Sequence, residues 1–154
     1  MQKITPFLWF EGNAEEAAKF YVSVFKKSKV LGMTRFGDAG PGPKGHVLTV
    51  KFRLDGQEFT GLNGGPQFKF TEAVSFAVEC KTQQEVDRLW NRLTEKGGAP
   101  SQCGWLKDRF GLSWQIVPDI LPKLLASKDR KKADRVMQAM MQMTKIDIAG
   151  LQRA

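Results

Sequence analysis

The chain has 154 residues, 42% of them hydrophobic and 26% charged, a balance typical of one ordinary globular domain and not of a disordered or fibrous protein. The formal net charge of +8 is compatible with an anionic ligand, with nucleic acid or with solubility alone. No apolar run approaches the roughly 20 residues of a membrane helix, no secretion signal follows Met1, and Cys80 and Cys103 form no disulfide framework, so we expect a cytoplasmic protein.

The first half of the chain predicts a strand, a helix and three further strands. Apolar side chains recur at helical spacing after Gly12-Asn13, which supply a turn and a helix cap. Asp55-Gly56 is a two-residue hairpin signal between two of the strands. The strands are expected at residues 4–10, 30–36, 46–54 and 57–63, and the helix at residues 14–27.

The second half repeats this order and then continues into helices. Thr82 is the expected N-cap of a helix that runs to about Lys96, with Glu85 at the capping-box position. Gly97-Gly98 ends this helix. Strands are expected at residues 73–80, 101–107 and 112–117, helices at residues 120–126 and 131–143, and a packed tail at residues 146–151.

Weak self-similarity between the halves indicates an internal duplication of about 68 residues. Phe10-Glu11-Gly12 corresponds to Val78-Glu79-Cys80, and Glu16-Ala17 corresponds to Glu85-Val86. Two such halves can join into one curved sheet around a cavity, and clefts between packed units commonly bind ligands. We therefore expect an α+β fold of one domain, with module one at about residues 1–66, module two at about 70–118 and a helical segment at about 119–154.

Several motifs spread over the chain carry a family resemblance: residues 4–10, 13–17, 62–66, 104–111, 112–116 and 145–148. With these motifs the chain resembles the PhnB-like proteins of the glyoxalase/bleomycin-resistance (vicinal oxygen chelate) superfamily. The resemblance implies paired β-α-β-β-β modules forming a curved mixed sheet around a cavity, and a homodimer. Its members often carry the label 3-demethylubiquinone methyltransferase. A methyl transfer from S-adenosylmethionine would need a glycine-rich turn after the first strand, but Gly12-Asn13 is a helix cap and the loop 37–45 lacks the strand-to-helix order.

The metal ligands of metal-dependent relatives map near Thr5, Thr60, Ala73 and Gln115. A divalent metal prefers imidazole, carboxylate or thiolate donors, and of these four only Gln115 offers even a weak ligand. The single histidine, His46, begins a strand beside a glycine-rich loop and reads as a surface or turn residue. We expect no metal and no other cofactor.

Side chains alternate between the two faces of a strand, and the face that carries the mapped positions is predicted to form an apolar, aromatic ligand pocket with a few polar groups. Trp105 lies outside the core pattern, and two interpretations stay open: it closes over a ligand or it packs at a dimer contact. Trp114 alternates with Gln115 and is expected in the core. The predicted pocket residues are Phe7, Trp9, Thr60, Leu62, Ser75, Trp105 and Gln115, with Glu58, Ala77 and Ser113 on the same face.

Two residues, Glu58 and Cys103, are candidates for catalysis. Glu58 would serve as a general base if burial raised its pKa, and Cys103, near Lys107, would serve as a thiolate nucleophile. A solvated Glu58 and an inert Cys103 are the simpler interpretations. The favoured hypothesis is a metal-free protein that binds a small molecule. The alternatives are an enzyme using Glu58 or Cys103, and a basic adaptor for an acidic partner. Nucleic acid is not favoured, because the basic stretch 128–135 includes two acids and no aromatic residue.

Overall fold

The computed structural model describes residues 2–154, which divide into two compact units, one ending at Lys69 and the other beginning at Phe70. Each unit contains a strand, a helix and three further strands, and the second unit continues into helices. Each unit also forms its own four-stranded mixed sheet. The α+β class, with paired β-α-β-β-β modules and C-terminal helices, is thereby confirmed.

The first unit has the strand order β1-β4-β3-β2. Strands β1 and β4 are parallel, and the other neighbours are antiparallel. The elements of this unit are β1 (Phe7–Phe10), α1 (Ala14–Val24), β2 (Lys29–Arg35), β3 (Val47–Leu54) and β4 (Gln57–Asn63). Strand β4 begins and ends at the predicted residues, 57 and 63. The turn before it fixes where it begins, because Asp55 and Gly56 both have the positive φ that a type I′ turn requires.

One face of the first sheet packs on α1. Phe52 is buried between the rings of Tyr21 and Phe59, with its centroid 6.1 Å from the first and 5.5 Å from the second. Alternate residues of the strands contribute to this core, since side chains of a strand point to opposite faces in turn. Helix α1 ends earlier than predicted: Phe25 is extended, and Lys27 has a φ of 51°.

The N-terminus of α1 is capped by a strand residue and not by its own N-cap residue. Asn13 occupies the N-cap position, but its side chain makes no capping hydrogen bond. Asn63, at the end of β4, accepts a hydrogen bond from the Ala14 backbone N–H through Oδ1 at 2.9 Å. Its Nδ2 donates to the Val47 carbonyl at 3.0 Å, so one amide ties the helix to the sheet. The expectation that Gly12-Asn13 supplies the cap was wrong in this respect.

The second unit has the strand order β5-β8-β7-β6, with β5 parallel to β8 and the other pairs antiparallel. Thr82 Oγ1 accepts from the Glu85 N–H at 3.1 Å, which confirms the predicted start of the helix. The elements of this unit are β5 (Ser75–Cys80), α2 (Gln83–Thr94), a 3₁₀ turn (Glu95–Gly97), β6 (Ala99–Pro100), β7 (Trp105–Lys107) and β8 (Ser113–Pro118).

The region predicted as one strand, 101–107, contains a turn before β7. Cys103 and Gly104 both have positive φ values, of 59° and 84°. Their backbone N–H groups donate to the carbonyls of Met143 and Thr144, each at 2.8 Å. These hydrogen bonds connect residues about forty positions apart, which local sequence patterns do not reveal.

Three helices end the chain: α3 (Ile120–Leu125), α4 (Arg130–Met141) and α5 (Ile148–Arg153). The tail that was expected to pack includes α5, a helix that the sequence did not predict. Its residue Leu151 is buried with Ile146, Leu121 and Val136 in a small core. No helix within residues 2–154 combines the length and the apolar character that crossing a membrane requires.

Candidate functional site

Four of the predicted pocket residues lie on the face of the first sheet that is turned away from α1. In the parallel pair, Phe7 is in register with Thr60, and Trp9 is in register with Leu62. Residues in register share a face, so these four side chains are neighbours. Phe7 is 62% exposed whereas Thr60 is buried, so this open face presents aromatic surface to solvent.

Trp9 is held in place by backbone and aromatic contacts. Its indole N–H donates to the Gly65 carbonyl at 2.9 Å, and its ring meets that of Phe68 edge to face, with centroids 4.9 Å apart. A side chain at Gly64 would collide with the indole ring. Gly64 therefore lets the chain fold closely around Trp9, and Gly65 supplies the positive φ of the same turn.

Glu58, the candidate general base, lies on the same open face. It is the cross-strand partner of Arg53, and its Oε1 lies 3.8 Å from Nη2 of that arginine. The two side chains are 29% and 42% exposed respectively. An ion pair with this exposure contributes little to stability, and the carboxylate stays in contact with solvent.

The other three predicted pocket residues lie on the open face of the second sheet. Gln115 is in register with Trp105 on one side and with Ala77 on the other. Its Nε2 donates to Ser75 Oγ at 2.9 Å. The opposite face of this sheet packs on α2, and it includes Trp114, which is buried as predicted. Ser75, Trp105 and Gln115 are thus brought together on one surface.

A cleft of about 330 Å³ opens on this face of the second unit. Its volume is near the lower end of the range for small-molecule sites. Trp105 is the predicted pocket residue that lines it. The remaining walls come from Glu72 in the loop before β5, from Ala99–Ser101, from Leu106 and Lys107, and from Ser113.

The polar groups of the cleft differ in whether they have a hydrogen-bond or ion-pair partner. The Lys107 ammonium forms an ion pair with the Glu72 carboxylate, and the hydrogen bond from Lys107 holds the pKa of Glu72 below its usual range. Ser113 is in register with Lys107 across the sheet and is 1% exposed. Its hydroxyl has no hydrogen-bond partner among the described residues. Buried hydroxyls normally have a partner, so this one is an exception.

A buried carboxylate fixes the turn that places Lys107 opposite Ser113. Asp108 Oδ1 accepts from the N–H groups of Phe110 and Leu112, at 2.8 Å and 3.1 Å. Its Oδ2 accepts from the Trp114 indole N–H at 2.9 Å. These bonds hold the β7–β8 turn against the core.

The two cysteines differ in environment. Cys80 is fully buried, and burial raises the pKa of its thiol to about 12, with the nearby Glu85 carboxylate as a smaller cause. It therefore stays protonated and unreactive. Cys103, the candidate nucleophile, is half-buried in the turn before β7. It is not among the residues that line the cleft.

The positions mapped for a metal do not fit one. Thr60 and Gln115 lie on strands, whereas Thr5 and Ala73 precede β1 and β5. None of the four offers an imidazole, carboxylate or thiolate. Within residues 2–154, no three or more His, Cys, Asp or Glu side chains are grouped so that they would hold a metal ion. His46 is exposed just before β3, as expected of a turn residue.

Sequence reasoning missed the two charged residues of the cleft, Lys107 and Glu72. Lys107 was noted only as a neighbour of Cys103, although its alternation with Trp105 on one strand places it on the same face. Glu72 lies in a loop, and nothing in the local sequence indicates its pairing with Lys107. Ser113 was placed on the correct face, but its lack of a partner depends on tertiary packing.

Comparison with known proteins assigns the chain to a family. Residues 2–117 match the sequence profile of the 3-demethylubiquinone-9 3-methyltransferase family. A solved structure described as a putative 3-demethylubiquinone-9 3-methyltransferase, a PhnB protein from Bacillus cereus, is 40% identical, with a TM-score of 0.69 over 76% of this chain and 99% of that chain. A protein from Pseudomonas aeruginosa is 23% identical, with a TM-score of 0.61 over 77% of this chain and 100% of that one.

A third structure is described as a glyoxylase/bleomycin resistance protein/dioxygenase domain from Frankia. It is 17% identical, with a TM-score of 0.47, over 77% of this chain and 92% of that chain. No functionally curated protein matches the chain. The profile match and the 40% identity over nearly all of the Bacillus cereus chain establish the family. The chain belongs to the 3-demethylubiquinone-9 3-methyltransferase-like family of PhnB proteins.

Proposed function

We propose that this protein binds a small organic molecule without a metal ion, in the cleft on the open face of the second sheet. The observation that carries the proposal is the cleft itself, where the ring of Trp105 lies beside the polar groups of Lys107 and Ser113. Small-molecule sites combine mostly apolar walls with a few polar groups that fix the orientation of the ligand. Four of the eight residues that line this cleft, Ala99, Pro100, Trp105 and Leu106, are apolar, and the other four supply its polar groups.

The first unit supports the same kind of function. Phe7 and Phe68 are both more than half exposed, and Trp9 packs against Phe68 on the open face. Exposed aromatic surface of this kind commonly marks a binding surface for a ligand or another protein. Glu58 lies on this face, where its ion pair with Arg53 favours a structural or orienting role over proton transfer.

Methyl transfer, which the family name describes, is not part of the proposal. A nucleotide-type cofactor is usually held at a glycine-rich turn between a strand and a helix of a parallel sheet. Here the β1–α1 connection contains one glycine, Gly12, and the β5–α2 connection, Lys81-Thr82, contains none. Both sheets are mixed and four-stranded. These residues do not fit that type of cofactor site.

The test of the proposal is a screen of small aromatic compounds by thermal melting of the full chain. A compound at about 100 times its dissociation constant should stabilise the fold by about 2.7 kcal/mol. We expect Trp105→Ala to weaken each hit at least about tenfold, since aromatic contacts carry much of the binding energy in such sites. Met137→Ala is the control, because it removes an exposed apolar side chain of α4 that does not line the cleft. Hits that are insensitive to Trp105→Ala would contradict the proposal.

A second melt tests whether a metal is involved. Chelator-treated protein is heated with Ni, Zn, Mn, Fe or Mg ions in turn, and we expect no ion-specific shift in the melting temperature. A selective stabilisation by one ion would show that donors outside the mapped positions bind a metal.

A further inference from the structure

We infer that the cleft of the second unit is specific for a flat organic anion, whose carboxylate lies between Lys107 and Ser113 and whose apolar part lies on Trp105. The inference rests on the proposed small-molecule function and names the class of ligand. It is carried by the relative positions of four side chains: Lys107, Ser113, Glu72 and Trp105.

Lys107 and Ser113 form a paired donor site. They are cross-strand partners in β7 and β8, so their Cβ atoms lie about 4.5–5.5 Å apart and their side chains leave the same face. A lysine ammonium has three N–H donors and no acceptor, and a serine hydroxyl can donate one hydrogen bond. An oxygen acceptor with two lone pairs is the group that both can bind at once.

Ser113 supplies the independent observation that points to a ligand. Its hydroxyl oxygen is buried in the wall of the cleft and has no hydrogen-bond partner within residues 2–154. Ser75, its parallel neighbour on β5, has a hydroxyl of the same kind that accepts from Gln115. Of these two neighbouring serines, the one in the cleft is therefore the one available to a ligand oxygen.

Glu72 shows which chemistry the ammonium recognises. In the free protein, Lys107 binds the carboxylate of Glu72, which comes from the loop before β5. The Glu72 side chain is 61% exposed, so it can move into water at little cost. A ligand carboxylate would take its place at Lys107 and gain the Ser113 hydroxyl as well. Glu72 then acts as a built-in competitor that sets the affinity for the anion.

The aromatic part of the ligand follows from the other walls. Trp105 is in register with Gln115, two residues along β8 from Ser113, so its ring lies next to the donor pair. Ala99 and Pro100 line the side opposite β8. A planar apolar group attached to the carboxylate fits between these side chains, because an aromatic face favours flat partners.

The probes are 1-naphthoate and its neutral amide, 1-naphthamide, measured by calorimetric titration of the full chain. We expect naphthoate to bind at least about tenfold more tightly than the amide, in line with the value of charge-assisted hydrogen bonds. Lys107→Gln should abolish this difference. Ser113→Ala should weaken naphthoate several-fold with little effect on the amide. Lys51→Gln is the control for net charge, because it removes an exposed lysine from the first unit.

Glu72→Gln gives the most discriminating result. Removal of the competing carboxylate should tighten naphthoate binding several-fold and leave the amide unchanged. Weaker naphthoate binding in this variant would overturn the inference, since Glu72 would then contribute to recognition.

Equal binding of both probes, with loss of binding in Trp105→Ala, would overturn the anion specificity and leave the proposed small-molecule function intact. Failure of both probes to bind would refute the inference, and the wider aromatic screen would then decide the proposed function. Circular dichroism and melting curves check that each variant is folded.

Discussion

Ser113 and Ser75 are neighbouring serines whose hydroxyls differ in their hydrogen bonding. The Ser113 hydroxyl is buried without a partner among the described residues, whereas that of Ser75 accepts a hydrogen bond from Gln115. Leaving a polar group buried and unpaired costs about 1–3 kcal/mol. We expect Ser113→Ala to raise the free energy of unfolding by about 1 kcal/mol and Ser75→Ala to lower it by a similar amount. Urea denaturation measures both, and a clear loss of stability in Ser113→Ala would show that its hydroxyl has a partner.

The two thiols should differ in reactivity by more than their local sequences suggest. Cys80 is fully buried, with the pKa of its thiol raised to about 12, and Cys103 is half-buried in a turn. Thiolates are the reactive form. We expect a disulfide reagent at pH 8 to label Cys103 rapidly and Cys80 only as the chain unfolds. Cys103→Ser should abolish the rapid phase, and rapid labelling that persists in this variant would contradict the assignment.

The same pKa shift affects stability at high pH. The unfolded chain ionises this thiol near its ordinary pKa of 9.0, whereas the folded chain keeps it protonated up to about 12. The contribution of Cys80 is therefore complete below pH 9 and is lost as the pH rises toward 12. Urea denaturation at pH 8 and pH 10 should show a smaller loss of stability in Cys80→Ala than in the wild-type chain. Equal losses would show that burial does not perturb this thiol.

At the scale of elements, α1 depends on a residue that is 49 positions away along the chain. Asn63 Oδ1 accepts the Ala14 N–H, and Asn13 makes no capping hydrogen bond with its side chain. Removal of a helix cap typically costs about 0.5–2 kcal/mol. We expect Asn63→Ala to lower the free energy of unfolding by at least this amount, because its bond to the Val47 carbonyl is lost too. Asn13→Ala should change it by less than about 0.5 kcal/mol. A larger loss of stability in Asn13→Ala would show that the Asn13 side chain caps the helix.

The elements that the sequence predicted well are those with a strong local signal. Strand β4 was predicted at both ends, since the Asp55-Gly56 turn sets where it begins. Strand periodicity also placed Phe7, Trp9, Thr60 and Leu62 on one face, because side chains alternate with a period of two. The split of 101–107 and the helix α5 were missed, since both depend on hydrogen bonds and packing between distant segments.

The candidate site likewise contains residues that local sequence patterns place correctly and residues that they do not. Alternation along β5 and β8 is enough to place Ser75 and Gln115 on the open face of the second sheet. The ion pair of Lys107 with Glu72 is not predictable in this way, because Glu72 reaches the cleft from a loop. The chemistry that defines the proposed ligand therefore became visible only with the structure.

At the scale of the whole molecule, the positive charge is spread evenly along the chain. Residues 1–69 carry ten Lys and Arg against six Asp and Glu, and residues 70–154 carry fourteen against ten, so the excess is +4 in each unit. A nucleic-acid surface usually concentrates its basic residues on one face or helix. This distribution favours a general attraction for small anions over a nucleic-acid surface, in line with the ligand class proposed for the cleft.

Exposed apolar side chains lead us to expect a homodimer. Ile4, Phe7 and Phe68 of the first unit are 86%, 62% and 65% exposed, and Val74 and Met141 of the second unit are also more than half exposed. Burial of apolar surface is worth about 25 cal/mol per Å², and exposed apolar surface of this size commonly marks a contact between proteins. Light scattering after gel filtration should give about twice the chain mass of 17.3 kDa, and the melting temperature should rise with protein concentration. Phe7→Lys should shift the protein toward the monomer without unfolding it, because this side chain makes little contact with the core. A monomer at every concentration would refute the dimer and leave these aromatic side chains available to a ligand.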